Sequence, residues 1–163
     1  MHLRLSRSRL FQLGYHELAT YFGDTPVAKL SAEDVAEAVM AVRRRKLPDP
    51  QRLPNAGSFF KNPVVSQKTF EQLQSRFSDL VAYPLPHGQG VKLAAGWLIE
   101  QCGWKGYRNQ WVGVHNVQAL VLINHGGGSG TQLLALAQEI RESVEARFGV
   151  ELEQEPLTQP AVH

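Results

Sequence analysis

The chain has 163 residues, 43% of them hydrophobic, a formal charge of +2 and one cysteine. That is enough apolar content for a buried core in one domain, or in one domain plus a fragment. The small, scattered charge argues against a nucleic-acid surface, a single thiol excludes an internal disulfide and a Cys-based metal centre, and no apolar run is long enough to span a bilayer. Cys102 fits a reducing compartment and no leader peptide is legible, so the expectation is a cytoplasmic protein with neither nucleic acid nor membrane as partner.

His2-Leu-Arg-Leu-Ser-Arg7 alternates apolar and polar residues as a half-buried strand does, but it starts at the initiator Met with no partner strand before it. It reads as the remnant of a domain cut short. Residues 8 to 25, carrying Tyr15, Tyr21 and Phe22 and closed by Gly23-Asp24, read as an irregular connection, so that 1–25 form remnant and bridge. Ser31, with Asp34 three residues on, caps a helix in which Val35, Val39 and Val42 recur until Pro48 stops it. The basic run Arg43-Arg44-Arg45-Lys46 closes that helix, where cations suit the dipole. A nucleic-acid-binding reading of the run lacks the face-long basic stripe it needs.

Lys46-Leu-Pro-Asp-Pro50 leads into Asn55-Ala-Gly-Ser-Phe-Phe-Lys-Asn-Pro63, a stretch with neither helical nor strand periodicity and with prolines that force an irregular path. Within it Ser58 comes after Gly57, which admits close backbone approach, and before Phe59-Phe60, whose burial would hold the hydroxyl in place. Ser66 should cap a second helix with Phe70, Leu73 and Phe77 on one face. Residues 78 to 90 read as a Pro/Gly/His-rich loop, and Ala94 to Cys102 as a short apolar helix stopped by Gly103. Trp111 to Val114 and Gln118 to Asn124 read as strands joined by a tight connection at Asn116. Gly126 to Gly130 reads as a flexible turn, because it lacks the Gly-Lys-Ser/Thr ending of a phosphate-binding loop. A long helix from Thr131 carries Leu133, Ala137, Ile140, Val144 and Phe148 on one stripe, with Gly149 after it and a last strand over Val150–Glu153. The spacing of the six histidines matches no metal site. The sum is an α+β fold with helices packed on a small sheet: a domain over 26–156, then a tail over 157–163.

The run Asn-Ala-Gly-Ser-Phe-Phe-Lys-Asn-Pro at 55–63 resembles the signature of the UDP-N-acetylenolpyruvoylglucosamine reductase (UDP-N-acetylmuramate dehydrogenase) family. Val-Lys-Leu-Ala-Ala-Gly-Trp at 91–97, Val-His-Asn-Val-Gln-Ala-Leu at 114–120 and Val-Glu-Leu-Glu-Gln-Glu at 150–155 resemble it too, in the same order. The resemblance covers the C-terminal part of that family, without the flavin domain. It implies a substrate-binding domain for UDP-N-acetylglucosamine enolpyruvate, in an enzyme that uses FAD and NADPH in peptidoglycan precursor synthesis and so in cell-wall growth, shape and division. It implies Ser58 as proton donor, Glu155 as active-site carboxylate, and substrate contacts from Lys46, Asn62, Tyr83, Gln118 and Tyr21. Cofactor residues are expected in an FAD domain joined in cis, with none in this chain, so the chain alone is expected to be inactive. The other reading is a non-catalytic UDP-sugar module. The chain departs from the family pattern in two respects: Pro156-Leu157 come directly after Glu155, and the flavin-domain Arg and glycine-rich flavin loops that the resemblance implies have no counterpart in this sequence.

Overall fold

The computed structural model describes His2 and residues 11–159. The expected strand over 2–7 lies, His2 apart, outside the described residues. The chain divides into two compact units, Met1–Lys46 and Leu47–His163.

In the first unit, α1 (His16–Phe22) stands where an irregular connection was expected. The segment His16-Glu-Leu-Ala-Thr-Tyr-Phe22 contains no Gly or Pro, and Gly23, at φ 52°, ends it. Seven residues make a marginal helix by themselves, so tertiary contacts must hold it. The Glu17 carboxylate pairs with Lys46 at the end of α2 (Ala32–Lys46). Ser31 and Asp34 form the expected reciprocal cap: the Asp34 N–H donates to Ser31 Oγ at 3.1 Å, and the Ser31 N–H to Asp34 Oδ2 at 2.7 Å. Ala38 and Val42 are buried while Val39 is exposed, so the apolar stripe runs 35, 38, 42 rather than 35, 39, 42.

The second unit holds two three-stranded antiparallel sheets where one small sheet was expected. The first contains β1 (Asn55–Ser58), inside the stretch that showed no strand pattern. Asn55 lies opposite Ile123 and Ser58 opposite Val121, so three steps along β1 face two on its partner. The extra residue is a bulge, with Gly57 at φ 75°, and it breaks the alternation by which a strand is recognised. The second sheet is built from strands of two or three residues: β2 (Val64–Val65), β3 (Ala82–Pro84) and β4 (Val91–Leu93), in the order β2-β4-β3. These lie between and beside α3 (Gln67–Arg76), which Ser66 caps, and α4 (Ala95–Gln101). The 78–90 loop thus contributes an edge strand, and Pro84 is tolerated there because an edge needs no donor on its outer side.

Sheet one is completed by β5 (Val112–Val114) and β6 (Val121–Asn124), in the order β1-β6-β5. The connection His115–Leu120 is longer than the tight turn expected. The last helix, α5 (Gly130–Phe148), has a full capping box between Ser129 and Gln132 and stops at Gly149 in the left-handed region, φ 65°. Its Ala137, Ile140, Val144 and Phe148 join Val112, Val114, Leu122, Leu98 and Phe60 in one core. Val150–Glu153 is not a ladder strand. Its alternation is real, with Val150 and Leu152 buried and Glu151 and Glu153 exposed. Pairing is confined to a single bridge, Phe60 to Gln154.

Candidate functional site

Ser58 is the last residue of β1 and its side chain is exposed. The two phenylalanines after it pin its backbone: Phe59 and Phe60 are 4% and 1% exposed, and their rings meet edge to face at 5.2 Å. The Phe59 N–H donates to Leu120 O at 2.8 Å, and the Phe59 carbonyl accepts from the Glu155 N–H at 2.9 Å. The backbone next to Ser58 is therefore tied to the loop that bears Gln118 and to Glu155 itself. Gln118 is half-buried; its N–H donates to His115 Nδ1 at 3.2 Å and its carbonyl accepts from the Val121 N–H at 3.0 Å. Ser58, Gln118 and Glu155 thus gather at one end of sheet one.

Only a neutral His115 accepts at Nδ1, and burial lowers its pKa, which favours that form. Sequence alone places His115 no better than in or beside a strand and gives it no such role. Glu155 is exposed and makes no side-chain bond among the described residues. The Pro156-Leu157 departure leaves its backbone bond intact, because Gln154 Nε2 donates to Pro156 O at 2.6 Å and Thr158 Oγ1 at 2.9 Å and so holds the turn beyond it.

Asn62 turns out to have a folding role that the sequence did not disclose. Its Oδ1 accepts from the Ala95 N–H at 2.9 Å, capping α4, whose own N-cap residue Ala94 has no polar side chain. Beside it Lys61 pairs with Glu153, and a cleft of about 560 Å³ opens over Lys61, Asn62, Val64, Glu151 and Glu153. Tyr83 sits on β3, not in a loop, with its side chain 53% exposed.

Lys46 and Tyr21 belong to the first unit. Lys46 lies where the sequence placed it, in the basic run that closes the helix. It is the last residue of α2, paired with Glu17, donating to Tyr15 Oη at 3.3 Å and standing 5.6 Å from that ring. Glu17, more than any other neighbour, raises its pKa, so its charge is fixed but already countered. Tyr21 is half-exposed and meets Phe22 edge-on at 5.4 Å.

Asn124 bridges the glycine run. Asn124 Oδ1 accepts the Gly126 and Gly128 N–H groups at 2.9 and 3.1 Å, and its Nδ2 donates to Gly128 O at 2.6 Å. Those amides are not available to a phosphate. Among the described residues no group of three or more His, Cys, Asp or Glu could hold a metal, and no helix is long and apolar enough to cross a membrane.

The family model described as UDP-N-acetylenolpyruvoylglucosamine reductase, C-terminal domain, matches residues 49–158. The chain is 53% identical over 154 residues to the UDP-N-acetylenolpyruvoylglucosamine reductase of Pseudomonas aeruginosa, a match covering 94% of this chain and 45% of that protein. It is 53% identical over 143 residues to the reductase of Ralstonia nicotianae, covering 88% and 42%. With the Pseudomonas putida protein of the same name it shares 49% identity over 152 residues, covering 93% and 44%. The chain spans less than half the length of these curated relatives.

Proposed function

This chain belongs to the UDP-N-acetylenolpyruvoylglucosamine reductase family, and we propose that it supplies the substrate-binding half of an enzyme that reduces UDP-N-acetylglucosamine enolpyruvate to UDP-N-acetylmuramate, with NADPH as donor and FAD as carrier, in peptidoglycan precursor synthesis. The observation that carries this reading is the gathering of Ser58, Gln118 and Glu155 at one end of sheet one, on a backbone that the buried Phe59-Phe60 pair anchors. The glycine run of this chain offers the flavin's phosphates few donors, since Asn124 takes the Gly126 and Gly128 amides and Gln132 takes that of Ser129. The flavin belongs to a part of the enzyme outside this chain, and when bound there it supplies the hydride.

What this chain contributes is position and a proton. Hydride arriving at one alkene carbon leaves an electron pair at the other, delocalised into the adjoining carboxylate. Ser58 Oγ–H donates to that carbon. A hydroxyl is a weak acid, so the transfer works only because the recipient is the stronger base and is held within about 3 Å of the donor. Glu155, exposed and without a side-chain partner among the described residues, is the second acid–base group beside the same strand end. Gln118 and the Asn62 amide serve as hydrogen-bond donors to the substrate, and Tyr83 as a phenol beside its diphosphate.

The test is a hybrid in which this chain is joined to the N-terminal part of the Pseudomonas aeruginosa relative. NADPH oxidation that depends on UDP-N-acetylglucosamine enolpyruvate is expected. A hybrid that binds flavin and is reduced by NADPH, yet passes nothing to that substrate, contradicts the proposal.

A further inference from the structure

The face of sheet one turned away from α5 carries a cavity of about 350 Å³ that none of Ser58, Asn62, Tyr83, Gln118 and Glu155 lines. Gly113 of β5 lies opposite Ile123 of β6, while its neighbours Val112 and Val114 join the core with α5, so Gly113 and Ile123 share the other face. The segment after Gly106 folds back along that strand: Arg108 bridges to Gly113, the Val114 N–H donates to Tyr107 O at 2.8 Å, and the Asn109 N–H donates to Val112 O at 3.0 Å. A Cβ on Gly113 would stand 2.5 Å from Tyr107 O and 2.9 Å from His125 Nε2. Glycine there is what lets the segment and the imidazole close in.

Leu53 and Ile123 give the cavity apolar walls, and Arg108, His115, Asn116 and His125 give it polar groups. No described carboxylate lines it, and none pairs with Arg108. His125 Nε2 is buried and has no hydrogen-bond partner among the described residues, and burial together with the Arg108 charge lowers the pKa of the ring, which favours its neutral form. A buried polar atom that the protein leaves without a bond calls for an explanation. His115 uses Nδ1 to accept the Gln118 N–H, so its own proton is on Nε2, a second imidazole donor. The cavity therefore combines one fixed positive charge with several N–H donors and an apolar wall. Its size is at the small end of ligand pockets, enough for about one ring and too little for a nucleotide sugar.

We propose that this cavity is a binding site for a small monocarboxylate with an apolar body: Arg108 holds the carboxylate as a forked pair, His115 and His125 donate to it through Nε2–H, and the body lies against Leu53 and Ile123. One guanidinium matches one negative charge, and its planar fork matches the two oxygens of a carboxylate.

The probe is benzoate, titrated calorimetrically into the whole chain, with benzamide as the same shape without the charge and inorganic phosphate as an anion without the apolar body. Benzoate should bind about 10-fold or more tightly than either. Arg108 is exposed, so its replacement leaves the core alone. Arg108→Gln keeps an amide donor and removes the charge; benzoate affinity should fall about 10–100-fold, the range for a hydrogen bond to a charged group, and should approach that of benzamide. Arg108→Lys should keep part of the preference for benzoate. Wild-type chain that binds benzamide or phosphate as well as benzoate, or binds none of them, overturns the proposal, and so does an Arg108→Gln chain with wild-type affinity for benzoate. The reductase reading stands under each of these results, because the residues that carry it lie outside the cavity.

Discussion

At the scale of residues, Phe59 governs what its neighbours do. It buries its ring, gives its N–H to Leu120 and its carbonyl to Glu155, and so leaves the preceding Ser58 outside the core on a backbone that has little freedom to move. His115 does the same for Gln118 with a side chain. Its Nδ1 accepts the Gln118 N–H, which a protonated ring cannot do. Burial sets the folded pKa of His115 below its ordinary 6.5, and burial together with the Arg108 charge does the same for His125. Between the folded and unfolded pKa values the unfolded chain binds more protons. Stability is therefore full above about pH 6.5 and declines as pH falls through the folded values. The thermal midpoint should drop between pH 7 and pH 5, and should drop less in His115→Gln; a variant with the wild-type pH profile would mean that Nδ1 carries no such constraint. The anchored backbone beside Ser58 was legible because the two phenylalanines after it demand burial, whereas the role given to Ser58 came from the family resemblance. His115 was not legible, since its role lies in one bond to a turn whose shape the sequence does not display.

At the scale of elements, legibility tracked length. Nineteen residues of α5 repeat their apolar spacing often enough to be read, and the capping box and Gly149 mark both ends. Strands of two to four residues offer no such repetition, and the bulge at Gly57 erases what alternation β1 has. The cap on α4 was hidden for another reason: Asn62 and Ala95 are 33 apart in sequence. Asn62 therefore has a structural duty as well as a proposed contact. Asn62→Ala should destabilise the chain by about 1–2 kcal/mol in denaturant unfolding, from the lost cap and the amide left without a partner. Unchanged stability would show that the cap contributes nothing, and any loss of UDP affinity in that variant would then be a direct contact.

On the scale of the whole molecule, the family and the α+β class could be read from sequence, whereas the organisation into two sheets could not. The resemblance runs through motifs on β1, β4, the β5–β6 connection and the C-terminal segment, which are scattered in sequence. Within the second unit, backbone bonds bring three of them together at Phe59. The function proposed above gives this chain the proton-delivering side of a reaction whose hydride comes from elsewhere. The most direct test is Ser58→Ala in the flavin-bearing hybrid, with the two half-reactions measured separately. Reduction of the flavin by NADPH should proceed nearly as in the unmodified hybrid, because no proton is delivered to substrate in that step. Reoxidation by UDP-N-acetylglucosamine enolpyruvate should slow by about 10²–10⁴-fold, the contribution of a positioned acid, with part of the rate restored by Ser58→Cys. Reoxidation at the unmodified rate, with solvent deuterium still entering the product, would contradict the account.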